Sequence, residues 1–438
     1  MSLFNTLGIG ASGLSANSVS LSVIGDNIAN LGTTAFKSTR ATFEDVLPGL
    51  VVGSEGSQRL GTGVALSSVD LDNSQGAMRG TGMALDVAVF GTGMFQLTDG
   101  QERFFTRDGS FRLDSGGNLV NSSGLRVQGY LATDGVLTTA VGDLTVKTDS
   151  IAQRATTTVT LNAALAADLA ASPADYAALP AKDGSAAAPT LADCTTAADY
   201  STSVTVYDSL GRAHTVSLVY EATGSNTYSW AAIVDAGETD IAGAVSGRAF
   251  EIASGVATFD TDGQLTGPPT NVPSGTAWTW PGAAAFTLNL DAGGGAGLSG
   301  RLVIAGSEAS TTNIGQDGWG VGSLASISVE KNGVIVGSYT NGQDQALGQI
   351  ALATFPAQDA LLRVGGNLFR ATLSSGEPAL GAPGDGRRGD TIGGSLEASN
   401  VDLEVQFVAL IEAQRSYQAN TSVIKSADQT LQQLVSLV

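Results

Sequence analysis

The sequence predicts an α+β fold, mainly β, in which long terminal α-helices pair as a coiled-coil-like inner domain carrying nested β-rich middle and outer domains. Three observations predict it. Seven-residue apolar series occupy both ends of the 438-residue chain, turn-punctuated alternating segments fill the space between, and 57 glycines accompany a charged fraction of only 14%. That mixture suits many short strands joined by turns and suits a helical bundle poorly.

Residues 3–31 hold two interleaved series, Leu7, Leu14, Leu21, Ile28 and Leu3, Gly10, Asn17, Ile24, Leu31. Spacings alternating three and four mark a seam along one side of a helix. Gly10 and Asn17 weaken the second line, and Gly8, Gly10 and Gly13 each cost up to about 1 kcal/mol of helix stability relative to Ala. The other end mirrors this pattern. Leu403, Leu410, Tyr417, Ile424, Leu431 and Val438 recur every seven residues, beside Phe407, Gln414, Thr421, Asp428 and Val435. Asn400 or Asp402 can cap the start. Each end carries a narrow apolar stripe and too little core of its own, so each needs the other or copies of itself. A hairpin within one chain and helix assembly between chains satisfy the pattern equally.

Between the ends, Leu85 to Phe90 alternates, and Phe104 to Tyr130 repeats strand-sized pieces separated by Asp108-Gly109, Ser115-Gly116-Gly117 and Ser123-Gly124. Such spacing reads as hairpins. From Ile151 to about Tyr200 the composition turns to Ala, Thr, Asp and Pro, predicting an inserted segment with long loops. Ser203 to Tyr220 and Ala325 to Tyr339 return to strand pairs, with Asn332-Gly333 a hairpin turn. If the terminal helices pair, the chain runs out and returns, which nests its domains.

The net charge of −20, with five Lys and sixteen Arg spread along the chain, argues against nucleic acid, whose phosphates need gathered basic groups. It also keeps free copies apart, so any self-association must come from apolar faces. The lone cysteine, Cys194, excludes an intrachain disulfide and reads as a small buried apolar residue. The first positive charge is Lys37, so Met1 to Phe36 lacks the basic start of a cleavable export signal. No continuous apolar run reaches the length of a membrane span, and no membrane insertion is expected.

Gly8, Gly10 and Gly13 satisfy G-x-G-x-x-G formally, but almost nothing precedes them and they lie inside the heptad series. His214, the single histidine, sits in alternating sequence without an elbow or ligand spacing and is expected on a strand surface. Asp260 to Gly263 lacks the further ligands of a calcium loop and reads as a turn. The expectation is a protein that is not an enzyme, with no catalytic residue, cofactor or metal.

The terminal segments resemble the axial protein family of bacterial flagella, which includes rod, hook and hook-associated proteins. Ser12-Gly13-Leu14, Val23 to Asn30, Thr33, Thr34 and Ala35-Phe36-Lys37-Ser38 are similar to its N-terminal signature. Leu396 to Leu403 leads into Ala413 to Asn420 at the other end. Three inner segments are similar to the hook-type members: Thr205 to His214, Gly337 to Gly342 with Leu347 to Leu352, and Ser375 to Pro378. Two departures stand out, since members often have Gly where Ala35 stands and a basic residue where this chain has Val438.

The resemblance implies four parts. These are an inner helical domain (1–30 and 400–438), a connecting segment (31–75), a β-rich middle domain (76–150 and 317–395) and a β-rich outer domain (151–316). It implies a structural subunit that polymerises with itself into a curved tube, a universal joint passing motor torque to the filament. Leu7, Leu14, Leu21, Ile28, Leu403, Leu410, Tyr417, Ile424 and Leu431 would line the polymer interface. It further implies the distal rod protein, the hook cap and hook–filament junction proteins as partners, and extracellular delivery by the flagellar type III export apparatus. The alternatives are a distal rod protein, against which the outer segment argues, and a secreted β-rich enzyme or adhesin.

Overall fold

A computed structural model describes residues 3–46, 49–53, 56–147, 149–167, 175–224, 226–275, 278–295 and 299–436. Helices α1 (Leu3–Ala29), α2 (Leu191–Ala197) and α3 (Leu403–Ser436) frame a body of strands. The chain divides into two compact units, Met1–Thr148 with Ala325–Ser338 and Asp344–Val438, and Asp149–Leu324 with Tyr339–Gln343. The mixed, mainly β architecture with two long terminal helices is the one the sequence predicts.

In the first unit the antiparallel strands Asp344–Ile350, Arg126–Thr133, Met94–Thr98, Arg103–Thr106 and Leu368–Arg370 form the body of one sheet. Strand period sends Phe95 and Leu97 to one face, where Val87, Val89, Phe111, Val127 and Ile350 close a core. Met94 faces the other way, into Phe105, Ala353 and Phe369. The sheet is therefore buried on both faces. Asn332-Gly333 makes the expected turn, Gly333 taking φ 80° and donating its N–H to Glu330 O at 3.0 Å. Residues 39–71 include an antiparallel pair, Thr39–Asp45 against Val64–Leu71, which packs beside α1.

The second unit packs two sheets. One runs as an antiparallel meander, Tyr200–Tyr207, Ala213–Gly224, Thr227–Asp235, Ala249–Thr258 and Val272–Pro273. The other centres on Thr158–Leu165, paired in parallel with Asn289–Asp291 and Arg301–Ile304 and antiparallel with Ser310–Gln316. This corrects the expectation of loops through 151–200. Val159, Leu161, Ala163 and Leu165 alternate into the core as in any half-buried strand, but small residues dilute the signal and the pairing strands come from far along the chain. On the meander's other face lie Tyr176 and Cys194 of α2, packed against Val219, Ala231 and Ile233. Cys194 is fully buried, as expected, and burial pushes its thiol up to about 11.

His214 is a second correction. It is buried, stacked on Trp280 with centroids 4.2 Å apart and rings 12° from parallel. Its Nδ1 lies 2.7 Å from Glu238 Oε2 and its Nε2 3.4 Å from Asp208 Oδ2. Arg212 completes the cluster by donating from Nε to Asp208 Oδ2 at 2.8 Å. His214 shares the buried face of its strand with Val216 and Leu218, and the covering tryptophan arrives from a distant segment. Asp260 forms the expected turn, its Oδ1 accepting from the Asp262 and Gln264 amides. Among the described residues no cluster of three His, Cys, Asp or Glu could hold a metal ion.

Candidate assembly surface

The terminal helices pack together within the chain. The face of α3 turned to α1 carries Gln406, Ala413 and Ala427, with Asn420 and Ile424 reaching α1 glycines. A Cβ on Gly10 would stand 2.8 Å from Ile424 Cγ1, and one on Gly13 would stand 2.7 Å from Asn420 Nδ2. Two of the three glycines that lower helix propensity, Gly10 and Gly13, are thus the ones that admit the partner helix. On α1 the deepest residues are Gly10, Ile24 and Asn27, the first two from the line that the pattern ranked weaker. Leu7, Leu14, Leu21 and Ile28 are half-buried. Leu410, Ile424 and Leu431 are half-buried too, whereas Leu403 and Tyr417 are exposed. Val435 and Val438 lie outside the residues whose side chains are described.

Thr6–Ala29 is also long and apolar enough to cross a membrane by length and composition, with a mean hydropathy of 1.3. A search for unbroken apolar runs misses this, because Ser and Asn interrupt the run without lowering the average much. Only 17% of the segment's most apolar 18-residue stretch is buried, so most of that stretch still presents surface.

The two signature segments meet where the helices enter the β body. Asn27, almost fully buried, reads the Thr39 backbone twice, donating from Nδ2 to its oxygen at 2.8 Å and accepting its N–H at 2.9 Å. It also donates to Gln406 Oε1 of α3 at 3.3 Å. Asn400 stitches three segments: its Oδ1 accepts the Ser38 amide at 2.7 Å, and its Nδ2 donates to Asp72 O at 2.9 Å and Ser74 Oγ at 3.1 Å. The cap of α3 is Asp402, whose Oδ1 accepts from the amides of Glu404 and Val405. Satisfying those otherwise orphaned donors stabilises the helix start.

Beneath them lies a buried charge cluster. Lys37 Nζ donates to Glu397 Oε1 and Ser74 O, both at 2.6 Å, and Arg107 Nη1 lies 3.8 Å from Glu397 Oε2. Burial pushes the Lys37 ammonium below the usual lysine range, opposed by its hydrogen bond to Glu397. Burial lowers Arg107 likewise, opposed by the Glu397 charge. One carboxylate therefore holds two desolvated cations from different segments. Ala35 sits beside this cluster in the left-handed region, φ 56°, its N–H on Glu397 O at 2.8 Å. A glycine would adopt that backbone without strain.

Away from α1, the first turns of α3 carry several exposed apolar side chains, with Glu404 among them. At 3.6 residues per turn, Leu403, Phe407 and Ile411 lie on the side away from the α1 seam, with Val408 beside them. All four are exposed, Val408 at 67%. Periodicity pointed to Leu403 and Phe407, but not to this side as the one left free.

Several curated proteins match the chain along its whole length. The flagellar hook protein FlgE of Escherichia coli is 35% identical over 435 residues, spanning 97% of this chain and 98% of that protein. FlgE of Salmonella typhimurium is 34% identical over 433 residues with the same coverage. The chain belongs to the flagellar hook protein family. The Treponema pallidum hook protein is 33% identical over 476 residues, spanning 99% of this chain and all of that protein. Four family descriptions match in order: flagella basal body rod protein (7–37), flagellar hook protein FlgE/F/G D1 domain (88–163), flagellar basal body protein FlaE D2 domain (173–319) and flagellar basal body rod FlgEFG protein C-terminal (392–437). The crystal structure of Helicobacter pylori hook protein FlgE2 has the same fold, with a TM-score of 0.53 at 15% identity over 72% of this chain and 98% of that one. The chain is accordingly a structural, self-assembling axial protein of the extracellular flagellar hook and not an enzyme.

Proposed function

We propose that this chain polymerises head to tail into the curved tube between flagellar motor and filament, a joint stiff in twist and compliant in bending. Heterologous contacts of that kind generate an open helix rather than a closed ring. The observation that carries the reading is the group of exposed apolar side chains on the first turns of α3, Leu403, Val405, Phe407, Val408 and Ile411. A chain of net charge −20 that repels its copies still exposes these large apolar side chains beside a completed helix pair. Burying such surface between copies contributes about 25 cal/mol per Å².

On this reading the inner domain is 1–30 with 400–438, followed by a connecting segment (31–75), a middle domain (76–150 with 317–395) and an outer domain (151–316). Leu7, Leu14, Leu21, Ile28, Leu403, Leu410, Tyr417, Ile424 and Leu431 belong to the helices that carry the polymer contacts. The distal rod protein, hook cap and junction proteins are the neighbours in the axis, and the flagellar type III apparatus delivers the subunit.

Electron microscopy of the purified chain tests the proposal. Curved tubes are expected; straight rods or single particles refute it. Replacing Leu410 and Ile424 together by Asp should abolish tubes while the β body stays folded, because an unpaired carboxylate is strongly disfavoured in an apolar seam.

A further inference from the structure

We infer that residues 390–400 are a latch on the base of the terminal helices. Residues 35–39 and 74–91 close there only when this late segment sets the Glu397 carboxylate between Lys37 and Arg107. The inference goes beyond the polymer reading and holds for a single chain.

Three observations converge on that segment. The first is backbone pairing. Met78–Gly80 has Ser395–Glu397 as its strand partner, and Val87–Phe90 has Asp390–Gly393. Each pair is a two-stranded sheet of its own, too small to stand alone in water. The second is close fit. Ala35 donates its N–H to Glu397 O at 2.8 Å, and the Ser38 amide goes to Asn400 Oδ1 at 2.7 Å. A Cβ on Gly76 would collide with Ala398 O, so the segment lies directly on that turn. The third is charge. Lys37, Arg107 and Glu397 are all buried. One Glu397 oxygen takes the Lys37 ammonium and the Gly76 N–H, at 2.6 and 2.9 Å, and the other faces Arg107 Nη1 at 3.8 Å. The cations' other hydrogen bonds go to backbone oxygens, Ser74 O for Lys37 and Val89 O and Gly91 O for Arg107. Among the described residues no second carboxylate is ion-paired to either cation, and the exposed Asp72 adds a smaller attraction on Lys37.

Lys37 precedes Glu397 by 360 residues. Until the late segment docks, closing the base would bury two like charges without a counter-ion, which is strongly unfavourable. Well-packed apolar side chains in place of a buried ion cluster are often as stable or more so, and they would impose no such wait. What the charges add is a requirement that the chain be complete before its two ends are joined.

Refolding of the full chain from denaturant, sampled by pulsed hydrogen exchange at single amides, tests this. Three amides report on the base without bonding to the latch. Thr39 N–H goes to Asn27 Oδ1 at 2.9 Å, Asp72 N–H to Ser38 O at 2.8 Å and Val87 N–H to Gly109 O at 3.0 Å. In wild-type chain these reporters should gain protection in step with 390–397. In the triple variant Lys37→Met, Arg107→Leu and Glu397→Leu, an apolar-filled site, they should gain it about tenfold or more sooner. Reporters protected ahead of the latch in wild type overturn the inference, as does an unchanged order in the triple variant. Where the triple variant does not fold, Glu397→Gln decides in the native chain. It keeps the shape and removes the charge, and should speed exchange at the reporters about a hundredfold or more while Met94–Thr98 stays protected. Reporters exchanging at the wild-type rate in Glu397→Gln overturn the inference.

Discussion

Gly10→Ala and Gly8→Ala make a matched pair on one helix. Both replace a helical glycine, and both gain about 1 kcal/mol of intrinsic helix propensity. A Cβ at Gly8 meets nothing within 4 Å, so that gain stands. At Gly10 the new carbon would stand 2.8 Å from Ile424 Cγ1 and 3.4 Å from its Cδ1. Carbon atoms rest at roughly 3.5–4.0 Å, so the helices must part or Ile424 must leave its rotamer. Overpacking of this kind costs about 1–3 kcal/mol. Subtracting the propensity gain leaves Gly10→Ala neutral to about 2 kcal/mol destabilising, so it lies about 1–3 kcal/mol worse than Gly8→Ala. Amide hydrogen exchange along α1 reads the difference as a 5- to roughly 150-fold ratio in opening. Gly8→Ala should slow exchange and Gly10→Ala should not. Equal protection in the two variants would refute a helix pair in which Gly10 admits Ile424.

Three further outcomes follow from the packing. Glu397→Ala strands Lys37 and Arg107 as buried cations and should cost the first unit about 3–5 kcal/mol in denaturant melts, with Glu397→Asp a partial rescue; a loss below about 1 kcal/mol, typical of exposed pairs, would contradict the cluster. Burial raises the phenols of Tyr176 and Tyr220 well above 10.0, and that of Tyr228 to about 12. Their folded pKa values exceed the unfolded one, so the stability they lend is complete below pH 10 and declines as pH rises above it. Phenolate absorbance should therefore lag in the folded protein, and a second unit that titrates like free tyrosine would refute their burial. Cys194 should resist alkylation at neutral pH when folded and react fully in denaturant, and fast labelling of native protein would show that the α2 layer opens.

Much of this molecule is legible in its residues. The heptad lines at Leu7 to Ile28 and Leu403 to Leu431 announce two helices, and Asn332-Gly333 announces a hairpin that forms. Asp402 and Asn400 were both plausible caps; only the traced chain shows Asp402 on the helix amides and Asn400 bridging Ser38, Asp72 and Ser74. Thr158–Leu165 was missed because alanine and threonine carry little hydrophobic signal, although its alternation is strict once its neighbours are known. Of the heptad line on α3, Leu403 and Tyr417 stay exposed, and Ala413, Asn420 and Ala427 are the residues turned to α1. A close helix pair selects small side chains, which a search for large ones passes over.

By itself, then, the sequence determined the helical ends, the strand-rich middle and the family, because helical period, strand alternation and turn chemistry are properties of neighbouring residues. It also placed Gly10 and Gly13 on α1 without revealing their use. The tertiary structure alone decided which side of α3 meets α1, what covers His214, and how Lys37, Arg107 and Glu397 share one buried site. Those outcomes depend on residues far apart in the chain, often several hundred positions, whose contacts leave no local period. Close approach of two helices, and desolvation of a charge, are settled only when the facing segment is in place.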